Sequence, residues 1–400
     1  MFLDTLRRRN PAFILAAQGL HQQGLIPANA YVIDLDAVTA NARLIRAEGD
    51  RLGLRVFAMT KQVGRQSGFA HAVMAGGIDR AVAVDMACAV ACHRAGLRIG
   101  HLGHLVQIPR AEAAGAAVMQ PDFWTVFSDD KAAEAAAAAH RAGREQAILA
   151  RVQTAGDTFY PGHEGGFAAE DAVQAARRID ALDGARFAGI TTFPAQLYDH
   201  ATRSIRHTPN LATLQRTADA LRRAGFADIG INAPGTTSVV TLQALADAGA
   251  TQVEPGNGLH GMTPLHAVED LPEIPAVLYL SEVSHLHGGR AYCFGGGLYI
   301  DPVFPNYDVQ ALVGAEPTTD SADLRRVDIP PPAAIDYYGM IDATGPKPPR
   351  TGDSVVFGFR GQAFVTRAYA VGIAGVSTGA PRVVSIENCF GQAEPWPALQ

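Results

Sequence analysis

Of the three lysines in the chain, one stands where its chemistry would be unusual. Lys131 opens an Ala-rich stretch and Lys347 sits among prolines, both settings for a solvated surface charge. Lys61 closes the apolar run Val56-Phe57-Ala58-Met59-Thr60 with no turn before it. Desolvation disfavours an ammonium, lowers its pKa and leaves a nucleophilic amine, the state a Schiff-base lysine needs. The alternative is a lysine whose stem is buried while its head reaches water. Two glycine-bearing turns offer a second kind of chemistry. In Asn232-Ala233-Pro234-Gly235-Thr236-Thr237-Ser238, backbone amides and three hydroxyls precede a helical stretch from Val239. That combination suits a phosphate dianion, although an ordinary Ser/Thr N-cap uses the same residues. Val253-Glu254-Pro255-Gly256-Asn257-Gly258 is the second such turn.

The elements that carry these residues follow a rhythm. Short apolar runs at 56–61, 80–85, 99–105, 123–128, 148–153, 187–193, 228–232 and 251–254 alternate with helical stretches such as 131–142, 170–182, 211–224 and 239–248. Those four stretches end near Gly143, Gly184, Gly225 and Gly249, as helix C-termini do. Alternation of this kind implies parallel strands in βαβ units, and eight of them imply a (β/α)8 barrel. A doubly wound open sheet is the competitor, but no Gly-x-Gly-x-x-Gly follows the first run. After Pro275 the texture changes to strands punctuated by Gly and Pro, at 277–284, 290–294, 353–359, 363–370 and 382–387, with an irregular stretch over 301–349. The expected fold is therefore α/β: a helical extension over 1–30, a TIM-type barrel over 31–274, and a mainly β domain over 275–400 that closes the active site. The strand at Tyr31 lies outside the barrel rhythm and is free to join the later sheet.

Four hundred residues, nearly half of them apolar, suffice for two such cores. A net charge of -6, with no block of one sign, argues against nucleic acid or an anionic membrane as partner. No apolar run approaches the roughly 20 residues of a membrane span. The four cysteines, Cys88, Cys92, Cys293 and Cys389, are too sparse for a disulfide framework and suggest a reducing, cytoplasmic compartment.

In a (β/α)8 barrel, chemistry sits at the C-terminal ends of the strands, and phosphate commonly binds in the loops after strands seven and eight. Lys61 ends strand one, and the two glycine turns follow strands seven and eight. A nucleophilic lysine with a phosphate cradle suggests pyridoxal phosphate, whose aldehyde condenses with the amine. An aldolase that condenses directly with a phosphorylated sugar, or a binding protein, would use similar parts.

Four stretches, spread over nearly the whole chain, resemble the alanine-racemase-like (fold type III) family of pyridoxal-phosphate enzymes. They are Tyr31-Val32-Ile33-Asp34-Leu35-Asp36 with the later Asn41, the run ending at Lys61, the stretch from Val253 to Gly261, and Gly352-Asp353-Ser354-Val355-Val356-Phe357. Thr60-Lys61-Gln62 and Ala291-Tyr292-Cys293-Phe294-Gly295-Gly296-Gly297 resemble its YhfX-type branch. The resemblance implies a barrel with a C-terminal β domain, a homodimer, Lys61 as the cofactor lysine and a free amino acid as substrate. It further implies a phosphate site from Gly235, Thr236, Thr237, Ser238, Asn257 and Gly258.

Two departures from alanine racemase matter. Glu254 occupies the place of an arginine that faces the pyridine nitrogen. A carboxylate there would hold that nitrogen protonated and make the ring a better electron sink; pairing with a nearby arginine is the structural alternative. Phe294 occupies the place of the catalytic tyrosine and cannot move a proton. Cys293 is the candidate replacement base, since a thiolate serves if its pKa is lowered; Tyr292, Tyr337 and Tyr338 are others, and burial in a strand is the plain fate of such a cysteine. His285 and His287, at i and i+2, could seat a metal with Cys389, but the His/Cys signature of zinc-bearing relatives is not reproduced, and no metal is expected. His101 and His104 line the barrel or fill its core. Tyr160 and His163, in the loop after strand five, are candidates to touch a substrate carboxylate. The resulting expectation is an amino-acid racemase or epimerase that takes the Cα proton. A lyase or decarboxylase on a (D-)amino acid is the alternative, and a non-catalytic cofactor carrier the more distant one. The side chain of the substrate is not legible.

Overall fold

A computed structural model describes residues 1–396. Two compact units are interleaved along the chain. One comprises residues 42–60 and 73–258; the other comprises residues 1–41, 61–72 and the chain from Leu259 onward.

The first unit is the eight-stranded barrel. Its strands are all parallel and run in the spatial order Arg55–Val56, Gln252–Val253, Gly230–Asn232, Ala185–Thr191, Gln146–Gln153, Phe123–Val126, Arg98–Leu102, Arg80–Ala83 and Ala58–Met59. The first and last of these are halves of one strand interrupted at Phe57, so the ring closes. Val253 pairs with Val56 on one side, and Met59 with Val82 on the other. Most of these strand residues are buried, as expected where helices cover one face and the barrel interior the other. The Ala-rich helices fit their role. Asp129–Arg141 is capped by Ser128, carries Asp129 and Asp130 in its first turn and Arg141 in its last, and buries Ala132, Ala135, Ala136, Ala138 and Ala139. Charge placement follows the helix dipole, while the alanine face allows close packing. Gly184 shows why a glycine ends such a unit: its φ is +87°, and an added Cβ would lie 2.6 Å from the carbonyl oxygen of Ala136.

The second unit is built on an antiparallel β-barrel. Val277–His287 pairs with Arg290–Phe294 and with Ser354–Phe357, and Tyr338–Asp342, Leu324–Asp328 and Gln310–Gly314 complete the ring. The early strand Ala30–Asp34 does join this sheet, antiparallel to Val277–His287 and parallel to Tyr369–Ala374. The N-terminal helices Phe2–Arg9 and Pro11–Gln22 pack on it, with Phe2, Leu6, Phe13 and Ile14 buried against Val32, Leu278, Leu280 and Val356.

Three local expectations change. The stretch 301–349 is not irregular throughout, since it holds three strands; they are short, and separated by prolines, glycines and acidic turns that hide their alternation. Residues 363–370 do not form one strand: Ala363–Val365 is a single 3-10 turn and the strand begins at Tyr369. The first barrel strand ends at Met59, and Lys61 opens the 3-10 turn Lys61–Val63 two residues later. Among the described residues, no helix is long and apolar enough to cross a membrane.

Candidate active site

Lys61 is half-buried, with its Nζ 5.2 Å from the centroid of the Phe364 ring. The segment that follows it is fixed to the sheet of its own unit. Arg65 takes a left-handed φ of +59° and donates from Nη1 to the Cys389 carbonyl at 2.7 Å. Gln66 donates to Ser385 Oγ, and Ser67 bonds the buried Glu387 through both its amide and its hydroxyl. The lysine therefore starts a rigid turn, not a mobile loop. The other two lysines have ordinary surface partners: Lys131 bonds the Ile108 carbonyl and Glu134, and Lys347 lies 3.7 Å from Asp323.

The two glycine turns come together. Gly258 lies so close to the strand-seven loop that an added Cβ would sit 2.3 Å from the Thr237 carbonyl oxygen. A Cβ on Gly235 would sit 2.7 Å from the backbone N and O of Gln196. Ser238 caps the helix Val239–Asp247, its amide donating to Thr241 Oγ1 at 3.0 Å. Asn257 is half-buried, and its Oδ1 is enclosed without a hydrogen-bond donor. Glycine-permitted close approach, a helix start and an enclosed polar atom thus meet at one place, the parts from which an anion site can be built.

Glu254 closes strand eight and points into the barrel, where it is 2% exposed. It does not pair with an arginine. Its Oε1 accepts from Asn232 Nδ2 at 3.0 Å and contacts His101 Nδ1, while His104 Nε2 lies 3.3 Å from Oε2. Burial alone would raise the pKa of this carboxyl. The opposing charges of His104 and His101, with the hydrogen bonds from His101 and Asn232, outweigh it and hold the group below the usual carboxylate range. The far side of the His101 ring meets Thr125 Oγ1, and Asn232 also donates to Thr191 Oγ1 at 2.9 Å. The donor atoms of His101, His104 and Glu254 lie within 4.8 Å of one another, so a metal ion is the competing occupant of this cluster. His285 and His287 are exposed and do not belong to it.

The same barrel holds a buried cation that the sequence reading passed over. Arg151, on strand Gln146–Gln153, is 1% exposed. Its Nη2 donates to the His163 carbonyl at 2.6 Å, and its guanidinium lies 4.7 Å from the Phe127 centroid, yet Nε and Nη1 have no hydrogen-bond partner among the described residues. Burial brings its pKa down to about 10. Its signal was available: like Lys61, it is a cation inside an otherwise apolar run. Tyr160 and His163 stack around Phe193 in the same region, with ring centroids 6.0 and 6.1 Å from it.

Cys293 lies in strand Arg290–Phe294, fully buried, opposite Gly339 and Val283. Burial pushes its thiol up to about 12, the reverse of what a base requires. Tyr292 stacks on His285 at 4.6 Å, Tyr337 is exposed beneath Arg367, and Tyr338 is 38% exposed. The four cysteines form no disulfide.

Comparison with known proteins agrees with this architecture. Residues 33–264 match the alanine racemase N-terminal domain, and residues 278–383 match the YhfX-like C-terminal domain. The uncharacterized protein YhfX of Escherichia coli (strain K12) is 39% identical over 395 residues, covering 98% of this chain and 99% of that one. D-threonine aldolase from Filomicrobium marinum superposes with a TM-score of 0.67 at 18% identity, covering 92% of this chain and 96% of that one. D-threo-3-hydroxyaspartate dehydratase from Delftia sp. HT23 gives 0.64 at 18%, covering 91% and 97%. Alanine racemase of Clostridium difficile 630 gives 0.63 at 15%, covering 91% and 99%. At such identities the solved structures speak for the fold alone, and their reactions differ. The domain match over more than half the chain and the full-length relative decide the family: this chain belongs to the alanine-racemase-like family and carries its YhfX-like C-terminal domain.

Proposed function

We propose that this protein is a pyridoxal-phosphate-dependent enzyme that takes the Cα proton of a free amino acid, as a racemase or epimerase. Members of its family are typically pyridoxal-phosphate enzymes. The observation that carries the reading is Glu254: a carboxylate held ionised inside the barrel at the position that faces the cofactor's ring nitrogen in the family motif. The residues present fit the group. Gly235 and Gly258 leave no room for a side chain, Asn257 Oδ1 has no donor among the described residues, and Glu254 Oε2 has only His104 Nε2 nearby, at 3.3 Å.

In this reading Lys61 would hold the cofactor, and its amine would serve as the base for the Cα proton on its own face of the substrate. Gly235, Thr236, Thr237, Ser238, Asn257 and Gly258 bind the phosphate through the helix start and the paired turns. Glu254 holds a proton at the ring nitrogen. Bound there, the cofactor supplies an electron sink for the pair left at Cα. Arg151 offers an enclosed positive charge to an anionic group of cofactor or substrate. The protein acts as a homodimer, the arrangement in which the family supplies its second base.

A lyase or decarboxylase is the second reading, and the enclosure of Cys293 favours it, since cleavage at Cα needs no acid on the opposite face. Borohydride reduction of protein loaded with pyridoxal phosphate, followed by peptide mass analysis, should place the adduct on Lys61. Its absence there would sink both readings. Loaded protein given a panel of D- and L-amino acids in deuterium oxide should put deuterium at Cα with loss of optical rotation. Keto acid, aldehyde or carbon dioxide instead selects the lyase, and no exchange with any of them selects a cofactor carrier. Cys293→Ala should retain the wild-type exchange rate within about twofold, because a thiol with a pKa of about 12 is not an effective base near neutral pH.

A further inference from the structure

An ionised carboxylate only accepts hydrogen bonds, so the contact between His101 Nδ1 and Glu254 Oε1 requires a proton on Nδ1. Thr125 Oγ1 engages the other ring nitrogen, which fixes the plane and tautomer of the imidazole. Asn232 Nδ2 donates to the same Oε1, and its carboxamide is held in turn by Thr191. Oε1 thus receives two donors, its full complement of lone pairs, while Oε2 makes no hydrogen bond among the described residues and faces only His104 Nε2, at 3.3 Å. His101, Thr125, Thr191, Asn232 and Glu254 are each 0–2% exposed, so these bonds are shielded from bulk water.

We propose that His101, oriented by Thr125, is a positioning residue that saturates one oxygen of Glu254 and dedicates the other to the cofactor's ring nitrogen. The proposal rests on the pyridoxal-phosphate reading and names what makes Glu254 effective within it. Without the donor on Oε1 the carboxylate is free to rotate, and a proton or a full hydrogen bond from His104, already 3.3 Å away, can claim Oε2. In this role His101 acts through Glu254.

The test is the 15N chemical shift of ring-labelled pyridoxal phosphate bound to the full-length protein, in wild type and in His101→Leu, His101→Gln and Thr125→Val. The wild-type shift should be that of a protonated nitrogen. His101→Leu should move it toward the unprotonated value, with a roughly tenfold loss of the protonated form over the neutral one, equal to about one pKa unit. His101→Gln, whose amide can still donate to Oε1, should restore most of it, and Thr125→Val should fall between. A merely structural histidine would leave the shift unchanged in every variant that binds cofactor, and that result overturns the proposal. So does an unprotonated nitrogen in the wild type, or a stoichiometric divalent metal in the purified protein that is lost in His101→Gln. Should His101→Leu fail to fold, His101→Gln and Thr125→Val carry the same comparison. The Lys61 adduct, read separately by mass, tells failure of this proposal from failure of the cofactor reading.

Discussion

Arg151 is a costly side chain to bury. A guanidinium in low dielectric loses several kcal/mol of hydration even after relaxation, and here no carboxylate lies within ion-pair distance among the described residues. Carbonyl oxygens and the Phe127 face compensate in part, and the pKa of about 10 records the remainder. Replacing a buried ion pair with apolar residues is often neutral or stabilising, and removing Arg151 strands no carboxylate among the described residues. Arg151→Met should therefore melt at the wild-type temperature or a few degrees above it, a gain on the order of 1 kcal/mol. The same variant should bind pyridoxal phosphate or the amino acid at least about tenfold more weakly, the value of one lost charge-assisted hydrogen bond. A thermal melt alongside a cofactor titration checks both. Equal loss in the two would mean that the arginine serves packing alone.

Among elements, the barrel was the most legible part of the sequence, and the reason is physical. A buried parallel strand is a short apolar run, its helix is an amphipathic stretch ending in glycine, and the pair recurs eight times. Lys61 and the two glycine turns were readable because each breaks its local pattern. Partners across the barrel were not: His101 and Glu254 are 153 residues apart and meet only when strands three and eight share one interior. The strands within 301–349 stayed hidden because their polar faces and flanking turns dilute the alternation, as in Leu324–Asp328. The turn-to-turn contact carries its own prediction. Gly258→Ala must push the strand-eight loop off Thr237, since 2.3 Å is far inside any real carbon–oxygen contact. It should lose about 1–3 kcal/mol of stability, the usual range for overpacking, and most of its pyridoxal-phosphate affinity. Gly115→Ala is the control: it lies in helix Ala113–Val118 with nothing within 4 Å, and should gain up to about 1 kcal/mol. Melting curves with and without cofactor separate the two, and an unchanged affinity in Gly258→Ala would remove this loop from the phosphate site.

On the scale of the whole molecule, buried histidines set how stability responds to acid. His260 follows the strand-eight motif, is 1% exposed and, among the described residues, has no hydrogen-bond partner on either ring nitrogen. Burial, then the charges of His266 and Arg360, depress its pKa to about 3, and burial depresses that of His21 to about 4. In the unfolded chain both titrate near 6.5. Above that pH neither state binds the proton, and the stability due to keeping these rings neutral is fully present. Below it the unfolded chain takes up protons that the folded protein refuses, so stability falls as pH drops from about 6.5 toward 4 for His21 and toward 3 for His260. Each ring contributes a slope of about 1.4 kcal/mol per pH unit within its window. Urea unfolding between pH 4 and 6.5 should show that decline. His260→Leu, which keeps an apolar side chain against Phe69 and removes the titrating group, should flatten it by about one such increment per unit while leaving the curve above pH 7 within about 1 kcal/mol of wild type. An identical acid limb in the variant would mean that His260 is protonated in the folded protein, paired with a group that this arrangement of side chains does not supply.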